Sequence, residues 1–151
     1  MLRALSGQPP ATWRQIELFA INPTIANSVY APRRTLEMEA RYRQYLNNPC
    51  AVYNAESMLF VQNGSYSLTP NIFPYNLEPG IRHYVLWYHP RVPAQLRGLK
   101  QSLILLRGMF HPSLYDIIAY ENPTSLQTRP NIPHFQVFVR RRPLLLGSNK
   151  R

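Results

Sequence analysis

Two short stretches carry matched polar and aromatic residues: His83-Tyr84-Val85-Leu86-Trp87 and His134-Phe135-Gln136-Val137-Phe138. Each opens on a histidine and an aromatic residue, with an aliphatic residue three places on and an aromatic four places on. Both read as strands, since β-branched and aromatic residues dominate them. With a period of two, His83, Val85 and Trp87 share one face, as do His134, Gln136 and Phe138. A register that brought the imidazoles together would supply a general acid and a general base, because imidazole titrates near neutral pH. Phosphoester chemistry by such a pair also calls for hydroxyl groups two residues after each histidine, to stabilise the oxyanion. Val85 and Gln136 stand there instead. His83, His134 and Gln136 are thus the catalytic candidates, and the simpler reading makes them strand-end groups that bond to loops and pack on aromatics.

Other chemistry finds less material. A metal could draw on His83 and His134 with His89 or His111, but Asp116 is the only aspartate and no His-Glu-x-x-His pair occurs. No metal and no cofactor is expected. The single Cys50 excludes an internal disulfide and follows Pro49 at a helix end, where it reads as a small buried hydrophobe. Six glycines supply no phosphate-cradling loop. The strongest chemical bias is charge: 17 Lys plus Arg against 7 Asp plus Glu, a formal +10, with 15 of the basic residues arginine. Arginine pairs bidentately with phosphate or carboxylate and stacks on aromatic rings. Arg33, Arg34, Arg140, Arg141 and Arg142 are the candidate binding residues for an anionic neighbour.

The elements that would position these groups follow from periodicity. Thr35 to Leu46 predicts a helix, with Met38, Tyr42 and Tyr45 on one face and Glu37/Arg41 and Glu39/Arg43 as i,i+4 pairs. Asn47-Asn48-Pro49 ends it. Met58 to Gln62 predicts a short strand stopped at Asn63-Gly64, where the Asn63-Gly64-Ser65 sequon reads as a turn. Ile81 to Tyr88 predicts a stronger strand. Pro93 to Phe110 predicts one continuous helix, with Leu96, Leu99, Leu103, Leu106 and Phe110 as its core stripe. Tyr115 to Glu121 and His134 to Arg140 predict two more strands. The order β-β-α-β-β implies an α+β fold, a mainly antiparallel sheet of about four strands with two helices on one face. Residues 1–34 form a Pro-rich basic arm whose Trp13, Ile16, Leu18, Phe19 and Ile21 suit a short helix or a strap on the core. Residues 35–142 form a single domain, and 143–151 a basic tail.

Two ordered blocks carry a family likeness. Ile72-Phe73-Pro74-Tyr75, Gly80-Ile81-x-His83 and Leu86-Trp87 form the first. Glu121-Asn122-Pro123-x-Ser125-Leu126 and His134-Phe135-x-Val137-Phe138 form the second. Together they resemble the N-acetylglucosamine-induced proteins of fungi, a small domain of unknown function, over roughly residues 35–140. In that family the last block reads His-aromatic-His, and Gln136 takes the second position here. The likeness implies a fold and no particular reaction. On physical grounds Asn122 and Ser125 suit a tight connection, Phe73-Pro74-Tyr75 closes one end of the sheet, and Trp87, Tyr84, Phe135 and Phe138 form an aromatic layer.

The composition, the Arg-rich surface and the arm point first to a non-catalytic accessory subunit of a large assembly. A respiratory complex, ATP synthase or a ribosome would fit, with other protein subunits as partners and RNA or anionic lipid as further ones. Met1-Leu2-Arg3-Ala4-Leu5-Ser6, with no acid before Glu17, has the flavour of a mitochondrial targeting segment. Cytoplasm and nucleus are the alternatives. A second reading is an enzyme or small-ligand binder with a His83/His134 pocket, and a third a nucleic-acid-associated protein. No apolar run approaches the ~20 residues that span a bilayer.

Overall fold

The computed structural model describes residues 7–61, 64–123 and 132–143. The targeting-like residues 1–6, Asn63 of the sequon, Ser125, Leu126 and residues 144–151 of the basic tail lie outside them. Helices α1 (Trp13–Ile21), α2 (Leu36–Leu46) and α3 (Pro49–Ser57) precede strands β1 (Tyr66–Pro70) and β2 (Arg82–Tyr88). Helix α4 (Leu99–Met109) and strands β3 (Tyr115–Tyr120) and β4 (His134–Arg141) complete the order, with 3-10 turns at Ile25–Tyr30 and Ala94–Leu96.

The sheet is four-stranded and antiparallel throughout, in the order β1-β2-β4-β3. The α+β class and the β-β-α-β-β order are therefore as the sequence predicts, and β2 and β4 are the two central strands. Helices cover both faces rather than one. On one face Leu106 of α4 packs on Leu86, Tyr88, Ala119, Phe135, Val137 and Val139. On the other, Trp13, Ile16 and Phe19 of α1 pack on Ile118, Tyr120 and Phe138. The pleat divides the expected aromatic layer between the faces: Trp87 and Phe138 point one way, Tyr84 and Phe135 the other.

Local chemistry explains the helix ends. Thr12 and Gln15 make a capping box at the start of α1. The Glu78 carboxylate accepts from the Trp13 N–H at 3.1 Å, where an acid also complements the helix dipole. Backbone bonds from Ala11 N–H to the Asn76 carbonyl (2.9 Å) and from Glu78 N–H to the Ala11 carbonyl (3.0 Å) tie this end to the loop before β2. The segment read as an arm thus supplies four of the seven buried residues of one core, Trp13, Ile16, Phe19 and Ala31. Thr35 caps α2, and its Glu37/Arg41 and Glu39/Arg43 pairs form at 2.9 Å each.

Four local expectations change. Asn48 and Pro49, read as a stop, also begin α3: Asn48 caps the Ala51 N–H and Pro49 occupies the first turn. Cys50 lies exposed on α3, because Val52 is the residue that faces inward. The strand expected at 58–62 sits instead at Tyr66–Pro70, since Met58 and Val61 are exposed while Thr69 gains the Trp87 indole N–H at 3.0 Å. The helix expected over 93–110 breaks at Gly98, which caps α4. Leu96 and Leu99 are consequently exposed, and the stripe narrows to Leu103, Leu106 and Phe110. At this break the fully buried Ser102 donates to the Gly98 carbonyl and accepts from the Tyr88 hydroxyl, both at 2.8 Å.

The docking of α1 has a direct energetic test. Phe19 is fully buried and meets the Tyr120 ring edge-on at 5.0 Å. Phe19→Ala should cost about 3–5 kcal/mol in urea unfolding, the usual range for deleting a buried phenyl ring. A loss below about 1 kcal/mol would show that α1 stands outside the cooperative unit.

Candidate functional site

The antiparallel register decides the fate of the two histidines. His83 pairs with Phe138, Val85 with Gln136 and Trp87 with His134. All six side chains share a face, as expected, but the imidazoles sit four residues apart along the strands, about 14 Å at the usual rise. They do not meet, and an acid–base pair of histidines does not form. His83 instead meets Gln136: its Nε2 lies 2.6 Å from the Gln136 Oε1, inside the protein. The other ring nitrogen, Nδ1, accepts from the Tyr75 backbone N–H at 3.2 Å. A backbone N–H can only donate, so the ring proton resides on Nε2. The ring lies between Tyr75 and Phe138, with centroids 4.6 and 4.7 Å away.

Burial, with a smaller push from the Arg34 charge, drives the His83 pKa down to about 3 against the opposing pull of its bond to Gln136. At neutral pH this imidazole is a neutral structural donor. His134, at the other end of the row, donates from Nδ1 to the Ile132 carbonyl at 2.8 Å and packs on Trp87 at 4.9 Å.

Above this face a cavity of about 280 Å³ opens between the sheet and helices α2 and α3. Val85, Trp87, His134 and Gln136 contribute to its floor, with Tyr120 from β3. Tyr42 and Tyr45 of α2, Phe73 and Tyr75 add aromatic walls, and Ala55 and Leu59 reach it from the α3 side. Beside Arg33, which also borders the cavity, Arg34 is held inside, its side chain only 11% exposed. Its Nε donates to the Phe73 carbonyl at 2.7 Å, and its guanidinium lies 4.0 Å from the Tyr42 ring centroid and 5.2 Å from that of Tyr75. Nη1 reaches Glu39 at 3.4 Å, whereas Arg43 holds the other Glu39 oxygen at 2.9 Å. One carboxylate is shared by two guanidinium groups, so the cluster keeps a positive excess.

Two tyrosines remain neutral here. Burial raises the Tyr75 pKa, with Arg34 and a hydrogen bond from Asn122 partly offsetting it. Burial holds Tyr120 well above the usual phenol range. The Tyr75 hydroxyl accepts from Asn122 Nδ2 at 3.4 Å.

The five candidate arginines divide between separate sets of partners. Arg33 donates to the Ser28 carbonyl at 3.3 Å, and both it and Arg34 border the cavity. Arg140 and Arg142 grip the two oxygens of Asp116 at 3.0 and 3.2 Å, and Arg140 also covers the Trp13 ring at 4.5 Å. Arg141 lies over Tyr115 at 5.6 Å. His89 and His111 each accept a backbone N–H two residues on, at 3.1 Å, as turn residues do. Among the described residues no three His, Cys, Asp or Glu side chains are grouped to hold a metal, and no helix is long and apolar enough to cross a membrane. Sequence reasoning missed α3 and the Arg34–Tyr42–Tyr75 cluster. The Asn48-Pro49 start signal was the available clue to α3.

The buried imidazole makes stability depend on pH with a definite sign. Below its ordinary pKa of 6.5 the unfolded chain binds a proton at residue 83 that the folded chain refuses until about pH 3. This contribution is complete above 6.5 and is lost as the pH falls through that window, with a slope of up to about 1.4 kcal/mol per pH unit. Chemical unfolding of wild type and His83→Asn between pH 7 and pH 4 should show a shallower decline in the variant. Parallel curves would mean that residue 83 is protonated in the fold.

With this geometry in place, the chain can be set beside known proteins. Uncharacterized protein YPL067C of Saccharomyces cerevisiae is 29% identical over 99 residues, 57% of this chain and 49% of the yeast protein. The chain thus spans about half the length of that curated relative. The crystal structure of HTC1 shares the fold, with a TM-score of 0.55 at 19% identity over 87% of this chain and 85% of HTC1. A family described as a protein of unknown function, DUF3605, matches residues 27–140, which include Arg34, α2, α3 and all four strands apart from the last residue of β4. The chain therefore belongs to the DUF3605 family.

Proposed function

We propose that the domain binds a small molecule in the cavity over the His83–Gln136 face, and that it does so without using His83 as an acid or a base. The cavity itself carries this reading. Its volume of about 280 Å³ lies near the lower end of the ~300–1,000 Å³ typical of small-molecule sites, and it combines aromatic walls with a few converging polar groups. His83 is sealed on both ring nitrogens, which suits it to shaping the floor rather than to moving protons. The likeness of the 72–87 and 121–138 blocks to the fungal N-acetylglucosamine-induced proteins belongs to the same proposal.

Membership of a large, mitochondrial assembly is a second reading, resting on the net charge of +10. The five arginines selected for it all make contacts within the chain, so the cavity takes precedence.

Ala55 is exposed at the α3 side of the cavity and offers a place to block it without touching the core. Saturation-transfer NMR with a set of neutral, anionic and cationic bicyclic aromatics should find members that bind wild type and quench Trp87 fluorescence. Those signals should disappear in Ala55→Trp with the melting temperature unchanged. A set in which every binder survives the blockade, or in which none binds, would sink the proposal.

A further inference from the structure

Two groups in the cavity wall have unused hydrogen-bonding capacity, and they differ in kind. The Arg34 guanidinium is positioned by Phe73, Tyr42, Tyr75 and Glu39, all of which line the cavity. Its Nε and Nη1 are engaged, and Nη2 has no hydrogen-bond partner among the described residues. Tyr120 is 2% exposed and borders the same cavity, and its hydroxyl likewise has no hydrogen-bond partner among the described residues. A phenol hydroxyl can both donate and accept, so a ligand in the cavity can take up the capacity that Tyr120 leaves unused.

The charge in the cavity limits what can enter. The Arg34 guanidinium, its charge partly met by Glu39, can compensate one negative charge, while Arg33, which also borders the space, turns its Nη2 to the Ser28 carbonyl. A dianion would be left with uncompensated charge beside the Glu39 and Glu56 carboxylates, which also line the space. His83 cannot add a cation, since burial keeps it neutral. The walls contributed by Trp87, Tyr42 and Phe73 favour a flat ring system.

Resting on the binding-cavity reading above, we infer that the occupant is a flat aromatic monocarboxylate, its carboxylate held by the free edge of Arg34 and a polar group on its ring held by the Tyr120 hydroxyl. Phosphate esters of similar shape bring a second negative charge that Arg34 does not meet beside Glu39 and Glu56, and neutral amides lose the ionic contact.

Four probes of common shape test this: 2-naphthoate, 2-naphthamide, 2-naphthyl phosphate and 6-hydroxy-2-naphthoate, titrated by Trp87 fluorescence and calorimetry. The carboxylate should bind at least tenfold tighter than the amide and the phosphate. The ring hydroxyl should add a further several-fold, and Tyr120→Phe should abolish that increment. Arg34→Gln should level the carboxylate and the amide. Should that variant fail to fold, the wild-type selectivity series still decides. Equal binding of carboxylate and amide, or tighter binding of the phosphate, would overturn the monocarboxylate while leaving the cavity reading in place. Absence of binding by all four overturns the monocarboxylate, and the cavity reading falls with it only if the broader fragment set also fails.

Discussion

The hydrogen bond from His83 to Gln136 joins the two central strands beneath the cavity, and much of the surrounding geometry follows from it. The bond is buried, so both partners must be satisfied within the protein. Gln136 accepts from one ring nitrogen, and the Tyr75 backbone N–H occupies the other. Tyr75 is thereby fixed, its ring tilted against His83 and lying beneath the guanidinium of Arg34. Arg34 in turn bonds the Phe73 carbonyl and faces Tyr42 of α2. A single imidazole tautomer therefore helps to place the loop before β2, the chain entering α2 and the charged wall of the cavity.

The two sides of the cavity perform different electrical tasks. The His83–Gln136 pair in the sheet is kept neutral: the His83 proton equilibrium is suppressed by burial, and Gln136 carries no charge. The helical side holds ions in a row, with Arg34 and Arg43 sharing Glu39. Exposure separates these cations. The side chain of Arg43 is 55% exposed and well screened, whereas that of Arg34 is 11% exposed. An entering anion would therefore feel Arg34 more than Arg43. The opposite face of the sheet has no such division. There, α4 and the strands bury aliphatic and aromatic groups, and Ser102 completes its hydrogen bonds through Tyr88 and Gly98.

Most of the fold is legible in the sequence because strong local signals agree with tertiary burial. The strands at β2, β3 and β4 are rich in β-branched and aromatic residues, and α2 announces itself through Thr35 and two ion pairs. Where apolar residues end in solvent, as at Met58 and Leu96, periodicity points to elements that the core does not use. The short β1 is polar at Ser67 and Thr69 and is recognisable only through its partner β2. The histidines show the same division. Their shared face follows from alternation alone, but their separation depends on register, which a long connection leaves open. Arg34 illustrates the steepest loss of information. It reads as a surface charge beside Arg33, and only the convergence of Phe73, Tyr42 and Tyr75, distant in sequence, makes it an interior group.

The strand order has a consequence for how the chain comes together during synthesis. β4 lies between β2 and β3, although it is the last strand in sequence. Until residue 141 has been added, the sides of β2 and β3 that β4 joins present unpaired N–H and C=O groups, and Leu86 and Ala119 lack its side chains as neighbours. Local steps such as α2 and the β1–β2 pairing can form early, but the central pairing must close over more than forty residues. A nascent chain stalled before His134 therefore carries two incomplete strand edges, the kind of surface that chaperones shield and aggregates recruit.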